Sequence, residues 1–128
     1  MATQSLQRTK KRLKEMGISG GRVEAPWNQF TKKRIDLFGI IDLVALYVGE
    51  GICGIQCCGT DFAEHDRKIL ASPYSREWIE SFGILEVWAW RKVLKKKGGR
   101  AKIWDVKIKR YTLKEIEEYG RQCIQEEA

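Results

Sequence analysis

Long apolar runs are missing from this chain, and with them the signals of a membrane-embedded protein. None of its apolar stretches reaches the ~18 residues of a membrane span. The longest, Leu37 to Val48, is broken by Asp42. The N-terminal residues carry charge without an apolar core, so no secretory leader is expected and the chain reads as cytoplasmic or nucleoid-associated. Histidine occurs once, at His65. Cysteine occurs four times, but Cys53, Cys57 and Cys58 crowd together as C-x3-C-C, and only Cys123 lies apart. A disulfide framework would spread its cysteines along the chain, and a zinc site would show C-x2-C pairs or a richer Cys/His set. The spacing therefore favours free thiols buried in a strand. Repeats and low-complexity segments are also absent.

What is present suits one domain over residues 1–128. A hydrophobic fraction of 43% supports one core. The net charge of +7 is unevenly spread. Residues 1–34 hold nine Lys/Arg against two acids, residues 91–110 hold ten against one, and residues 35–90 hold three against nine. Two basic segments thus flank an acidic centre. Such clusters are suited to DNA, because neutralising phosphates releases counterions; the alternative is a solvated basic face. The candidate contacts are Lys10, Lys11, Lys32, Lys33, Arg34 and the exposed turn containing Lys95, Lys96, Lys97 and Arg100.

Residues 4–16 read as a helix capped by Ser5, with Leu6, Leu13 and Met16 on one face. Gly17 and the Ser19-Gly20-Gly21 run end it, and Arg22 to Phe30 begins extended. Ile40 to Val48 and Ile52 to Cys58 read as strands joined by the Gly49-Glu50-Gly51 turn, a β-hairpin. Thr60 or Asp61 caps a helix that runs to Pro73, and Ser75 to Ser81 forms another. Ile84 to Val93 and Ile103 to Tyr111 read as a strand pair around the Lys95–Lys102 turn. Thr112 caps a last helix, with Glu115 in the capping-box position. The expected architecture is α/β: a mixed central sheet of about five strands flanked by helices.

Asp42 and Gln56 are the chemically informative residues. Each sits in an apolar strand, where a polar head is costly unless it is paired or bound to a metal. A short hairpin would set them side by side. A carboxylate beside an amide oxygen suits Mg2+, a hard ion that prefers oxygen ligands and keeps several waters.

The stretch RIDLFGIIDLVALYVGEGICGIQCCGTDFAEHDRKI resembles the PD-(D/E)xK nuclease superfamily, which includes Holliday-junction-resolvase-like proteins, the VRR nuclease domain and small phage proteins. The resemblance covers residues 5–93 in element order and implies a restriction-endonuclease-like fold. It implies that Asp42 holds Mg2+ or Mn2+ and that Gln56 takes the acidic ligand position. Cys58 stands in the lysine slot and cannot supply its charge. In some members the lysine comes from the following helix, where Lys68 is the match and Arg67 the second choice. Glu15 matches a glutamate contributed by the family's first helix. Asp36 is a further candidate ligand, ahead of Glu24. The family's frequent dimerisation makes a homodimer one option.

Each of these residues also has an ordinary reading. Asp36 caps a turn or pairs with Arg34; Gln56 is satisfied by backbone groups; Lys68 and His65 are surface helix residues; Glu15 is a helix-end charge. His65 shares a face with Lys68 and is otherwise a base or a DNA contact. Trp88, Trp90 and Trp104 are expected to cover a helix more than to stack on bases. The expected activity is a metal-dependent endonuclease-type phosphodiesterase acting on DNA, with branched DNA as one substrate option. The alternatives are a nuclease-fold protein that binds DNA without cutting it, and a phage accessory interaction module.

Overall fold

Leu6, Thr9 and Leu13 recur on one stripe of the first helix, and this stripe seats it on the sheet. The computed structural model describes residues 4–23 and 36–127, with side chains as far as residue 124. It contains α1 (Gln4–Glu15), β1 (Ser19–Arg22), β2 (Leu43–Tyr47), β3 (Gly51–Cys58), α2 (Phe62–Ala71), α3 (Pro73–Glu80), β4 (Ile84–Leu94), β5 (Lys102–Arg110) and α4 (Leu113–Glu127). The sheet is mixed and five-stranded, in the order β1-β2-β3-β4-β5. β3 and β4 are parallel, and every other neighbouring pair is antiparallel. A parallel pair needs a crossover, and α2 with α3 supplies it. The α/β class and the mixed sheet flanked by helices agree with the sequence.

Two clusters separate the sheet's faces. Leu6, Leu13, Leu43, Ala45, Cys53, Ile55, Cys57, Trp88 and Trp90 pack together on the α1 side. Ile41, Cys58, Ile69, Leu85, Val87 and Tyr111 pack on the side of α2 and α3. Alternation along β3 therefore sends Gly54, Gln56 and Cys58 toward α2. Burying side chains such as Leu6 and Leu13 stabilises the fold by about 1.5–3 kcal/mol each. Trp88 and Trp90 lie under α1, as expected. The Trp90 indole N–H donates to Thr9 Oγ1 at 2.9 Å, which satisfies the buried nitrogen. Among the described residues, no helix is long and apolar enough to cross a membrane.

Several boundaries differ from the sequence reading. Ser5 lies inside α1, and Met16 is 57% exposed, its place in the core stripe taken by Thr9. Ser19-Gly20-Gly21 is an edge strand rather than a helix stop. A Cβ on Gly20 would meet Leu13 Cδ1 at 3.0 Å, so the glycine lets β1 approach α1 closely. The strand expected from Ile40 begins at Leu43, because residues 37–41 fold into a tight loop. α3 begins at Pro73, with Ser72 Oγ accepting from the Tyr74 N–H. Thr112 accepts from the Glu115 N–H at 3.2 Å, as a cap should. The Glu115 carboxylate lies on Lys109 at 3.2 Å. Glu24, Lys32, Lys33 and Arg34 lie outside the described residues.

Candidate metal centre at the start of the hairpin

The segment Asp36-Leu37-Phe38-Gly39-Ile40-Ile41-Asp42 reverses direction within a few residues. Leu37 and Ile41 exchange backbone hydrogen bonds of 2.8 and 3.0 Å. Phe38 and Gly39 occupy the left-handed region, with φ of 55° and 75°. Glycine accepts that conformation freely, whereas a phenylalanine there costs of order 1–3 kcal/mol. Phe38 is held by stacking on Tyr74, with ring centroids 5.4 Å apart. The reversal brings the carboxylates of Asp36 and Asp42 to one place.

Asp42 directly precedes β2 and continues its ladder. Its N–H donates to Ile55 O at 2.9 Å, and its carbonyl accepts from the Val23 N–H at 3.0 Å. Because Leu43 pairs with Ile55, the next position pairs Asp42 with Gln56. Gln56 Nε2 donates to Asp42 Oδ2 at 2.6 Å and to Asp36 Oδ2 at 3.3 Å. The Cys57 N–H also donates to Asp42 Oδ2, at 2.9 Å. Lys68 Nζ reaches back from α2 to Asp36 Oδ2 at 3.2 Å. α2 is itself fixed, since Asp66 accepts from Tyr111 Oη at 2.6 Å and from Lys109 Nζ at 2.8 Å.

Asp36, Asp42, Gln56 and Lys68 are thus brought together from three parts of the chain. Asp42 is 7% exposed and Gln56 1%. Burial, with the neighbouring Asp36, pushes the Asp42 carboxyl up to about 8. Burial also acts to raise Asp36, but the hydrogen bond from Asp42, the Lys68 charge and Gln56 outweigh it and hold Asp36 below the ordinary carboxylate range. The two carboxylates therefore titrate as a pair, with Asp42 pushed up and Asp36, the member nearer lysine, held down.

Gln56 Oε1 is buried and has no hydrogen-bond partner among the described residues. An unpartnered amide oxygen costs about 1–3 kcal/mol. A hard divalent cation would satisfy it, and the Asp36 and Asp42 carboxylates that contact the same side chain are further oxygen donors, so the residue types present fit Mg2+ or Mn2+. The fit comes from the donor set and that orphaned oxygen.

The remaining candidates lie elsewhere. Glu15 is exposed on α1, on the other side of the sheet, and pairs with Arg12 at 3.8 Å. It lines a cleft with Arg8, Lys11, Arg12, Trp90 and Trp104, and is not brought to Asp42. Lys10 and Lys11 share that helix and are exposed. Lys95, Lys96, Lys97 and Arg100 lie in the exposed β4–β5 turn, with Gly98 at φ 80°. Arg67 is exposed on α2. Cys58 is buried at the end of β3, and His65 is half-buried with Nε2 2.9 Å from Asp61 Oδ2.

Two charged residues do more than the sequence suggests. Asp61 occupies the expected N-cap position of α2, but its side chain bonds His65 and the Gly59 N–H and makes no capping bond. The Asp61–His65 spacing of four is the signal that points to this pair. Glu86 is 3% exposed and accepts from Tyr47 Oη at 2.6 Å, Trp88 Nε1 at 3.0 Å and Arg110 Nε at 3.0 Å. Alternation puts it on the face of Trp88 and Trp90, but no local pattern shows that Tyr47 and Arg110 also converge on it. Comparison with family models, curated proteins and solved structures gives no match.

Proposed function

We propose that this chain is a metal-dependent phosphodiesterase acting on DNA, with Asp42, Asp36 and Gln56 as its ion-holding residues and Lys68 as its charge-stabilising residue. The observation that carries this reading is the buried Gln56 amide, whose Oε1 is unpartnered among the described residues while its Nε2 contacts two carboxylates, one of them paired with Lys68. Its support includes the element order, since an antiparallel three-stranded meander followed by a helical crossover and a parallel strand suits the resemblance to PD-(D/E)xK nucleases.

Asp42 and Gln56 would hold the ion and Asp36 would complete the oxygen set. When bound, Mg2+ or Mn2+ would polarise a scissile phosphate and lower the pKa of water. Asp42 would hold the ion in its ionised form, which the cation itself would favour. Lys68 is 45% exposed, so its ammonium can contact a phosphate oxygen while still bridging to Asp36. It stands in for the charge that Cys58 lacks. The exposed turn around Lys95, Lys96, Lys97 and Arg100 would hold the backbone of the DNA.

The test is cleavage of plasmid, forked and four-way DNA in Mg2+ or Mn2+. Wild type is expected to cut and Asp42→Ala to lose at least ~100-fold of the rate. Equal cleavage by the two proteins contradicts the assignment. A second reading, DNA binding without hydrolysis, draws on Cys58 in the lysine slot and on the hydrogen bonds that already engage Asp42 and Lys68. It expects a steep salt dependence of binding and no metal-dependent product.

A further inference from the structure

We propose that Cys58, Asp61 and His65 form a second cation site, distinct from the Asp42–Gln56 centre and selective for a thiophilic divalent ion such as Zn2+. One ligand atom from each residue lies within 4.8 Å of the other two. The three come from adjacent pieces of structure: Cys58 ends β3, Asp61 precedes α2, and His65 lies one turn into that helix. The strand-to-helix connection is short, so the donor set is local and rigid.

The donor chemistry separates this site from its neighbour. Sulfur, imidazole nitrogen and one carboxylate match zinc, cobalt or nickel, whereas carboxylate and amide oxygens match magnesium or manganese. A second observation points to a ligand. The Nδ1 of His65 is buried and has no hydrogen-bond partner among the described residues, while Nε2 is engaged by Asp61. An ion held on Nδ1 would remove this deficit. The Asp61 side chain is 51% exposed, so an ion can enter from solvent.

Binding breaks the Cys58 S–H bond, releases that proton to solvent and forms a sulfur–metal bond in exchange for one of the ion's waters. Three protein ligands leave a position for water or a phosphate oxygen. Cys58 occupies the place of the lysine in the resembled nucleases, so a dication there would put positive charge beside Asp42. That last consequence rests on the phosphodiesterase reading; the binding does not.

The experiment is titration of the reduced, full-length protein with Co2+, read by its thiolate-to-cobalt charge-transfer absorption. Wild type is expected to give a saturating band at one equivalent, which Zn2+ abolishes and excess Mg2+ leaves. Cys58→Ser is expected to lose the band, and His65→Gln to weaken affinity ~10-fold or more. Asp61→Asn, on an exposed side chain, tests the site with least risk to folding and is expected to weaken it as well. Asp42→Asn is expected to keep the band. No band in wild type overturns the proposal, as does a band unchanged in both His65→Gln and Asp61→Asn. Neither result bears on DNA cleavage in Mg2+, and a chain that never cuts DNA can still give the band.

Discussion

Gln56 Nε2 lies 2.6 Å from Asp42 Oδ2 across the β2–β3 pairing, while its amide oxygen is buried without a partner among the described residues. Half of this side chain is satisfied by the protein and half is not. Gln56→Leu removes both the orphaned oxygen and the donor to Asp42. The expected result is a protein within about 1–3 kcal/mol of wild-type stability that no longer binds Mn2+ measurably by calorimetry. Undiminished Mn2+ affinity would remove Gln56 from the centre.

The raised Asp42 carboxyl gives a pH dependence with a definite sign. Asp42 rises from an ordinary 3.8 to about 8 in the folded protein. Between those values the folded chain keeps a proton that the unfolded chain has released, so stability falls as pH rises. The contribution is fully present below about pH 4, declines toward pH 8 and is flat above it. Asp36 acts oppositely, losing stability as pH falls through its lowered value. Denaturant melts of wild type from pH 5 to 8 are expected to show declining stability, and Asp42→Asn to flatten that slope. Parallel slopes would show that Asp42 titrates normally.

Space under the hairpin is set by Gly54. A Cβ there would meet Ile41 Cδ1 at 2.6 Å and Trp78 Cζ2 at 3.1 Å. Ile41 must shift, and it directly precedes Asp42. Gly54→Ala is expected to cost about 1–3 kcal/mol by overpacking and to weaken Mn2+ binding more than a remote mutation of equal cost. Thermal melts paired with calorimetry check both parts.

Much of this arrangement is legible in the sequence. A polar residue in each of two apolar strands joined by three turn residues marks Asp42 and Gln56, because register follows from so short a turn. Lys68 is marked by the resemblance, and its contact with Asp36 follows from α2 lying against the same sheet face. The Leu37–Ile41 reversal is not legible. It depends on a left-handed phenylalanine held by Tyr74, far along the chain, and no local pattern contains that stacking. β1 is hidden because two glycines look like a helix stop when viewed without Leu13 behind them. The role of Glu86 is hidden because strand alternation does not reveal that Tyr47, Trp88 and Arg110 converge on one carboxylate.

The Glu86 carboxylate ties down part of the α1-side core. Glu86→Ala strands the Tyr47 hydroxyl and the Trp88 indole N–H, whose rings pack in that core. The expected loss is about 1–3 kcal/mol in urea melts, with DNA binding unchanged at a temperature where the variant is folded. A loss under ~0.5 kcal/mol would mean that water replaces the carboxylate at these donors.

The basic turn is separable from the centre. Lys95→Gln, Lys96→Gln, Lys97→Gln and Arg100→Gln together are expected to leave Mn2+ affinity unchanged. They are expected to lower the slope of log affinity against log salt for duplex DNA by roughly one unit for each phosphate no longer neutralised. An unchanged slope would place the DNA on another surface.

A crystal structure of the protein grown with Mn2+, read by anomalous scattering, would show whether Asp42 and Gln56 hold an ion. The expected result is an Mn2+ ion on an Asp42 oxygen and Gln56 Oε1, with Asp36 beside it and Lys68 turned toward its open side. Well-diffracting crystals with Mn2+ at other positions, and with the Asp42–Gln56 hydrogen bond intact at saturating metal, would contradict it.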